Sequence, residues 1–430
     1  MRIVRGLAVL VILLFAAASA NAAGFRLPEA GAKAMGMAMA FTAQADDPSA
    51  IYFNPAGLVQ LEGMNVMVGG TYVRENGAEF SGVTPLTLGA TRSETQKSLN
   101  FILPNAYWTR KASPRFAYGI GVYAPFGLGQ EYKDRDAGIF RSQVNRVDIK
   151  TVVVNPTVAW NIEDVLAVGA GIDFMWGQAR LSQTIPAPVP PAFPSAGYVD
   201  LKGDGVAWGY NFGLLLKPTE NFRIAANYRS PFNLRIKNED ATISNLNPAY
   251  STGGLGQVPS STLASTIVKM PATFALGAAY TIGQLTVEAD ADWTFWHSFD
   301  SLPITFQKNA IPTLPNVVNE KKWKDVCAVR VGAEYRVTDP LALRVGFVYD
   351  PTPIPGSTLG PELPDATRMD YMVGAGYKIG PVTIDGAFMY IDKFDRTVSN
   401  IRAEGLNPIG EKGTWKGNAW LASLDVGYHF

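Results

Sequence analysis

Asn418-Ala419-Trp420-Leu421-Ala422-Ser423-Leu424-Asp425-Val426-Gly427-Tyr428-His429-Phe430 is the stretch that decides the fold. Trp420, Ala422, Leu424, Val426, Tyr428 and Phe430 fall on one face of an extended chain, and Ser423, Asp425, Gly427 and His429 on the other. Successive side chains of a strand point to opposite faces, so this period of two is the signature of a strand with one apolar and one polar side. The same pattern recurs upstream. In 325–337, Cys327, Val329, Val331, Ala333, Tyr335 and Val337 alternate with Arg330, Gly332, Glu334 and Arg336. In 366–379, Met369, Tyr371, Val373, Ala375, Tyr377 and Ile379 alternate with Arg368, Asp370, Gly374, Gly376 and Lys378. In 285–295, Leu285, Val287, Ala289, Ala291, Trp293 and Phe295 alternate with Glu288, Asp290 and Asp292.

Alternation alone does not say whether the apolar face meets a core or a lipid bilayer. Length and punctuation do. These runs reach ten residues or more, beyond the roughly 5–6 of a common strand and close to the ~9–11 of a tilted membrane strand. Aromatics gather at their ends, as at Tyr107, Trp108, Trp160, Trp176, Trp293, Tyr377, Tyr428 and Phe430, which suits girdles at two interfaces. Strands are expected at 64–74, 98–110, 116–124, 144–160, 165–180, 199–216, 222–237, 268–280, 285–297, 325–337, 341–350, 366–379, 382–392 and 418–430. Links 111–115, 161–164, 217–221, 281–284, 338–340 and 380–381 are tight, whereas 181–198, 238–267, 298–324, 351–365 and 393–417 are long. An even strand number with short turns on one side and long loops on the other describes a 14-stranded antiparallel transmembrane β-barrel, an all-β membrane protein. The terminal Phe430 on an alternating strand is the kind of end that barrel-assembly machinery reads, so that machinery and outer-membrane lipid are expected partners. The apolar face switches parity around Asp148–Val152 and again between Leu201 and Val206; a β-bulge in each strand is expected there, because one extra residue flips the faces.

Composition agrees. Of 430 residues, 47% are hydrophobic and only 17% charged, low for a soluble chain. Lys+Arg and Asp+Glu are equal at 37 each, so nothing draws the protein to nucleic acid. A single cysteine, Cys327, excludes a disulfide framework and a Cys-rich metal site. Arg2 and Arg5, an apolar run Leu7–Ala18 and Ala20-Asn21-Ala22 read as a signal peptide over 1–22. No P-loop, Rossmann fingerprint or zinc spacing occurs, so no cofactor and no energy coupling is expected.

Residues 23–62 do not alternate. They carry a small-residue run, Gly31–Ala40, and two helix starts, Asp47-Pro48 and Asn54-Pro55, where a side-chain cap precedes proline at the first helical position. A segment of this size can hardly build its own core, so a helical plug filling the lumen is expected, ahead of a barrel over 63–430. Here the chain resembles the FadL family of outer-membrane hydrophobic-compound transporters (OmpP1/FadL/TodX). The resemblance rests on Ala23-Gly24-Phe25, Gly31–Ala40, Asp46–Ala50 and Tyr52-Phe53-Asn54-Pro55-Ala56-Gly57-Leu58. It continues through Leu103-Pro104-Asn105, Tyr123–Leu128, Trp293–Leu302 and the closing Tyr428-His429-Phe430.

The resemblance implies passive uptake of long-chain fatty acids or similar hydrophobic molecules. A groove among outer loops would catch the ligand, a pocket beside the plug, or hatch, would hold it, and a gap at a kink in the third strand would release it sideways. Sideways exit suits a lipid, since each CH₂ kept from water is worth ~0.8 kcal/mol. Asn54, Pro55, Ala56 and Gly57 match the hatch motif, with coupling of the hatch to release as the functional role and simple helix capping as the structural one. Pro125, Phe126 and Gly127 are placed at the gap, because proline cannot donate to a ladder and glycine weakens it; the alternative is that Pro125 and Gly127 simply begin the loop after the third strand. The Pro-rich loop 181–198 would present Phe193 to the groove. A carboxylate in an apolar lumen needs a cation; Arg330 and Arg344 are the candidates, although Arg223, Arg336, Arg368, Glu334, Asp370, Asp290 and Asp292 share their inward parity and could form an ion-pair network with them. Two other readings stand beside this one: a general diffusion porin, and an outer-membrane lipid hydrolase using His297, on a lipid-facing strand position beside Ser298, or His429. Neither has a complete motif, and the chain is not expected to be an enzyme.

Overall fold

A computed structural model describes residues 24–163, 165–185, 197–245, 261–307, 317–404 and 407–430. Its main sheet closes on itself. Nineteen extended segments run antiparallel around a barrel and merge into fourteen passes, because five passes are each broken once. In chain order the passes are β1 (Met64–Glu75), β2 (Leu99–Ser113), β3 (Phe116–Tyr123 and Gly127–Glu131), β4 (Arg146–Glu163), β5 (Leu166–Ile185), β6 (Gly197–Thr219) and β7 (Phe222–Arg229 and Phe232–Ser244). There follow β8 (Ser261–Met270 and Thr273–Ile282), β9 (Leu285–Thr294 and Ser301–Phe306), β10 (Val317–Glu320 and Val326–Arg336), β11 (Leu341–Asp350), β12 (Arg368–Ile379), β13 (Val382–Lys393) and β14 (Asn418–His429). Every expected strand is present. β1 pairs β14 from Asn65↔His429 to Glu75↔Ala419, which closes the cylinder at this seam.

The expected parity is the observed one. Leu424, Val426 and Tyr428 point outward and are exposed, while Asp425 on the same strand is buried in the lumen. Trp160, Tyr335, Tyr377 and Tyr428 mark one rim of the apolar band, and Trp176, Trp208, Tyr371 and Tyr390 the other. Such a cylinder pairs the backbone groups of neighbouring strands with one another, as lipid demands.

The two expected bulges in β4 and β6 are absent. β4 keeps one register against β5 from Arg146↔Ser182 to Thr157↔Gly171, and β5 against β6 from Leu166↔Leu216 to Ile185↔Gly197. The parity of the chain never changes; its surroundings do. Beyond Val152 and Val206 the strands rise past the bilayer, where Lys150 and Lys202 face out and Ile149 and Val199 face in. The upper lumen is therefore apolar. The register shift lies in the neighbouring strand instead: Tyr123 pairs Val153 but Gly127 pairs Lys150, so Ala124, Pro125 and Phe126 stand opposite Thr151 and Val152. β9 also departs from expectation. Its first segment stops at Thr294, and His297 lies in a 3-10 turn, Trp296–Ser298, not on a strand.

Outside the barrel, Arg396–Ser399, Lys412–Lys416, Glu79–Val83 and Arg92–Thr95 form a four-stranded sheet from the long loops. It is pinned by Phe80, Phe140 and Trp415, whose rings meet at 4.9–5.3 Å.

Candidate functional site: the hatch and the broken third strand

Gly24 to Leu61 lies inside the barrel. Its helical content is three short pieces, Ala32–Gly36, Ala50–Phe53 and the 3-10 helix Pro55–Gln60. Asp47 does not cap a helix beginning at Pro48; its Oδ1 accepts from Ser49 N at 2.8 Å and the helix starts at Ala50. Asn54 does cap, with Oδ1 accepting from Ala56 N at 3.1 Å. Its Nδ2 donates to Thr42 O at 2.8 Å and to Leu214 O of β6 at 3.0 Å. Fully buried, Asn54 thus joins two turns of the segment to the wall. Close approach there requires glycine: a Cβ at Gly213 would lie 2.0 Å from Asn54 Oδ1, and one at Gly169 2.4 Å from Ala56 N. Pro55, Ala56 and Gly57 are buried with it.

A row of carboxylates on β9, which the sequence reading assigned only to the lumen, grips the segment's backbone. Glu288 accepts from Ala43 N (2.6 Å) and Gln44 N (2.8 Å). Asp290 accepts from Phe41 N and Thr42 N (both 3.1 Å) and Thr42 Oγ1 (2.6 Å). Asp292 pairs with Arg26 at 2.8 Å. Across the lumen Asp425 accepts from Ala32 N at 2.5 Å. Strand periodicity supplies the spacing: positions 288, 290 and 292 share the inward face.

The segment's first residues act differently. Leu27 N donates to Pro125 O (2.8 Å) and Gly127 N to Phe25 O (3.0 Å), with Arg26 opposite Phe126. Phe25–Leu27 is a short strand laid over the kink in β3. Phe25 sits in an aromatic box of Trp296, Phe299 and Trp323, with ring centroids 4.8, 5.4 and 5.7 Å away, and touches Phe126 at 6.1 Å.

Behind this patch the ladder between β2 and β3 is interrupted. β2 pairs β3 only from Ala106↔Val122 downward, and Gly127–Glu131 pairs only β4. Residues 99–105 have β1 on one edge and no ladder on the other, until Lys97 N reaches Glu131 O at 2.7 Å. Thr151 Oγ1 takes over from the missing ladder by donating to Phe126 O (2.6 Å) and accepting from Phe126 N (3.1 Å). Below the window a buried network holds the end of β3: Arg229 donates to Tyr123 Oη (2.7 Å), to Asp173 (2.6 Å) and to Tyr52 O (3.2 Å).

Pro125, Phe126 and Gly127 are thus brought together with Phe25–Leu27. Arg330 and Arg344 are in the lumen but in ion pairs, Arg330 Nε with Asp292 at 3.3 Å and Arg344 with Glu334 and Asp385 at 2.6 Å each. Phe193 lies outside the described residues. Arg396, which sequence reasoning passed over, is partly buried under the loop sheet. It donates to Thr352 Oγ1 (3.1 Å), Asp365 O (2.6 Å) and Ile354 O, and no carboxylate among the described residues lies within ion-pair distance. Burial presses its pKa below the usual arginine value. His297 is exposed and pairs with Asp325 at 2.7 Å, and Ser298 Oγ donates to Phe295 O rather than to the imidazole.

A closed membrane barrel filled by its own N-terminal segment, with one gap in its wall, is a plugged transport barrel of the outer membrane. Residues 13–430 match the family model described as outer membrane protein transport protein (OMPP1/FadL/TodX), and the chain belongs to that family. It is similar to a putative outer membrane protein of Neisseria meningitidis serogroup B, 26% identical with 97% of this chain and 96% of the relative covered. It is also similar to the long-chain fatty acid transport protein of Salmonella typhi, 24% identical with 98% of each covered. Among solved structures, a FadL homologue of Pseudomonas aeruginosa superposes with a TM-score of 0.83 at 21% identity, over 95% of this chain and 100% of that one. The toluene transporter of Ralstonia pickettii gives 0.69 at 20% identity, over 93% and 98%. These are families and folds of transport proteins, not enzymes.

Proposed function

We propose that the protein carries long-chain fatty acids or similar hydrophobic molecules passively across the outer membrane, after removal of residues 1–22 as a signal peptide. Residues 23–62 are the hatch and 63–430 the barrel. The ligand enters beneath the outer loops and occupies the apolar upper lumen, around Phe126, Phe232, Leu234 and Ile149. It leaves sideways between β2 and β3 when Phe25–Leu27 lifts from the kink. The observation that carries this reading is the pairing of Phe25–Leu27 with Pro125–Gly127 across a gap in the ladder. A segment that covers a gap from inside can also uncover it, and the carboxylate row keeps the rest of the hatch in place meanwhile. For a carboxylate head group we favour Arg396, whose donors meet only carbonyl and hydroxyl oxygens, over the ion-paired Arg330 and Arg344.

The geometry offers a direct test. Arg26 and Phe126 face each other between the two backbone bonds, the closely spaced kind of cross-strand pair. Arg26→Cys with Phe126→Cys, in a Cys327→Ala background, should form a disulfide that pins the segment. Uptake of a fluorescent fatty acid into cells should stop when the bond forms and return when it is reduced. Equal uptake by the oxidised and reduced protein would refute the sideways route.

A further inference from the structure

We infer that the outward face of β4–β7, just above the aromatic rim, is a docking surface for an outer-leaflet lipid that carries phosphates on its head group. The parity that turns Val154, Val206 and Trp208 to lipid continues upward to Lys150 on β4 and Lys202 on β6. Arg235 and Lys237 on β7 are exposed on the same side, because Leu234 and Ile236 between and beside them are buried in the lumen. Lys202 lies four positions beyond Val206; at about 3.3 Å per residue and a strand tilt of about 40°, that is roughly 10 Å above the apolar band, where head groups sit.

Charge is what makes this surface unusual. Lys202 stands directly opposite Arg180 in the β5–β6 ladder, and like charges in that position are unfavourable without a counter-ion. Arg180 has one, Asp200. Lys150, Lys202, Arg235 and Lys237 have none within ion-pair distance among the described residues, even though Asp204 and Asp240 share the sector. Elsewhere on the outer side cations are paired: Lys393 of β13 with Glu75 of β1, and Lys416 with Asp395. Below the cations Trp176, Val206 and Trp208 expose a broad apolar wall on which acyl chains can lie. Cations above and aromatics below match an amphiphile with anionic phosphates and several acyl chains, the chemistry of lipopolysaccharide.

The test uses the full mature barrel, delipidated in detergent, with lipopolysaccharide bearing its lipid A phosphates as probe. Native mass spectrometry should retain bound lipid on the parent protein. Lys150→Gln, Lys202→Gln, Arg235→Gln and Lys237→Gln together should weaken binding by 100-fold or more, since a basic residue near an anionic surface is worth about 1 kcal/mol, or about fivefold. The parent protein should bind dephosphorylated lipopolysaccharide as poorly as the variant binds the intact form. Equal binding by parent and variant would overturn the proposal, and so would equal binding of phosphorylated and dephosphorylated lipid, a comparison that needs no variant. If inorganic phosphate alone reproduced the lipid's stabilisation, the surface would be a plain anion patch and the proposal would fail.

Discussion

Phe25→Ala should unlatch the N-terminal segment without unfolding the barrel. Phe25 is 2% exposed and packs its ring against Trp296, Phe299, Trp323 and Phe126. Truncating a buried phenylalanine costs about 3–5 kcal/mol. That loss falls on the closed position of the segment, because the carboxylate clamps on Phe41–Gln44 and the Asn54 cap lie elsewhere and are untouched. The two backbone bonds to Pro125 and Gly127 remain but are worth only about 0.5–1.5 kcal/mol each. At about 1.4 kcal/mol per factor of ten, the open population should rise at least 100-fold. Leu27→Cys in a Cys327→Ala background reports this: its labelling by a maleimide should accelerate by that factor when Phe25→Ala is added, while gel mobility of the folded barrel stays the same. A labelling rate within threefold of the parent would refute the idea that the aromatic box is the latch.

Three further outcomes follow from the geometry. Gly213→Ala places a Cβ 2.0 Å from Asn54 Oδ1, so the cap must shift; overpacking of about 1–3 kcal/mol should lower the temperature at which the folded band is lost on gels. Asp290→Asn with Glu288→Gln removes the charge from acceptors of four backbone amides, and at about 1.5–3 kcal/mol per charge-assisted bond the hatch should loosen enough to give channel currents in planar bilayers where the parent is closed. Glu411, buried in the loop sheet against Trp415 Nε1, has its carboxyl pushed up to about 8 by burial. The folded pKa is raised, so the loop sheet is fully stable below the ordinary carboxylate value and loses stability as pH rises through about 8. Tryptic cleavage after Lys412 and Lys416 should therefore speed up between about pH 6 and about pH 9 beyond the enzyme's own pH profile, and Glu411→Gln should abolish that excess.

The strands were legible because membrane strands are long, strictly alternating and punctuated by short turns; 382–392 was expected and Val382–Lys393 is found. Pro125 also marked the true break in β3, since a missing donor is visible in one residue. What alternation could not separate was a bulge from a change of medium. At Ile149 and Leu201 the apolar side turns inward because the outside has become water, and a single sequence shows only that the pattern flipped. The partners of the inward charges were hidden for another reason. Parity says that Arg330 and Asp292 face the lumen, but not that they meet at 3.3 Å or that Asp290 holds amides 248 residues away. Arg396 sits in a loop with no periodicity to read, and only its lack of a carboxylate partner draws notice. The pairing of Phe25–Leu27 with the kink had a faint trace, an extended Phe-Arg-Leu before Pro28, but nothing in it names the strand it joins.

The closure of β1 on β14 has a consequence for how the molecule is made. Asn65 and His429 touch across 364 positions of chain, so the cylinder is sealed by two strands far apart in sequence. The residues that fill it precede the first of these strands. One of the contacts that hold them, Ala32 N to Asp425, is supplied by that same final strand. A plug already in place when the seam zips presents Ala32 N to Asp425 of the arriving strand. The last strand thus both joins the seam and engages the plug, and a chain whose plug is misplaced leaves Asp425 only the amide of Asn105 as a donor. A contact spanning 393 positions of chain in this way couples the seam of the barrel to its contents.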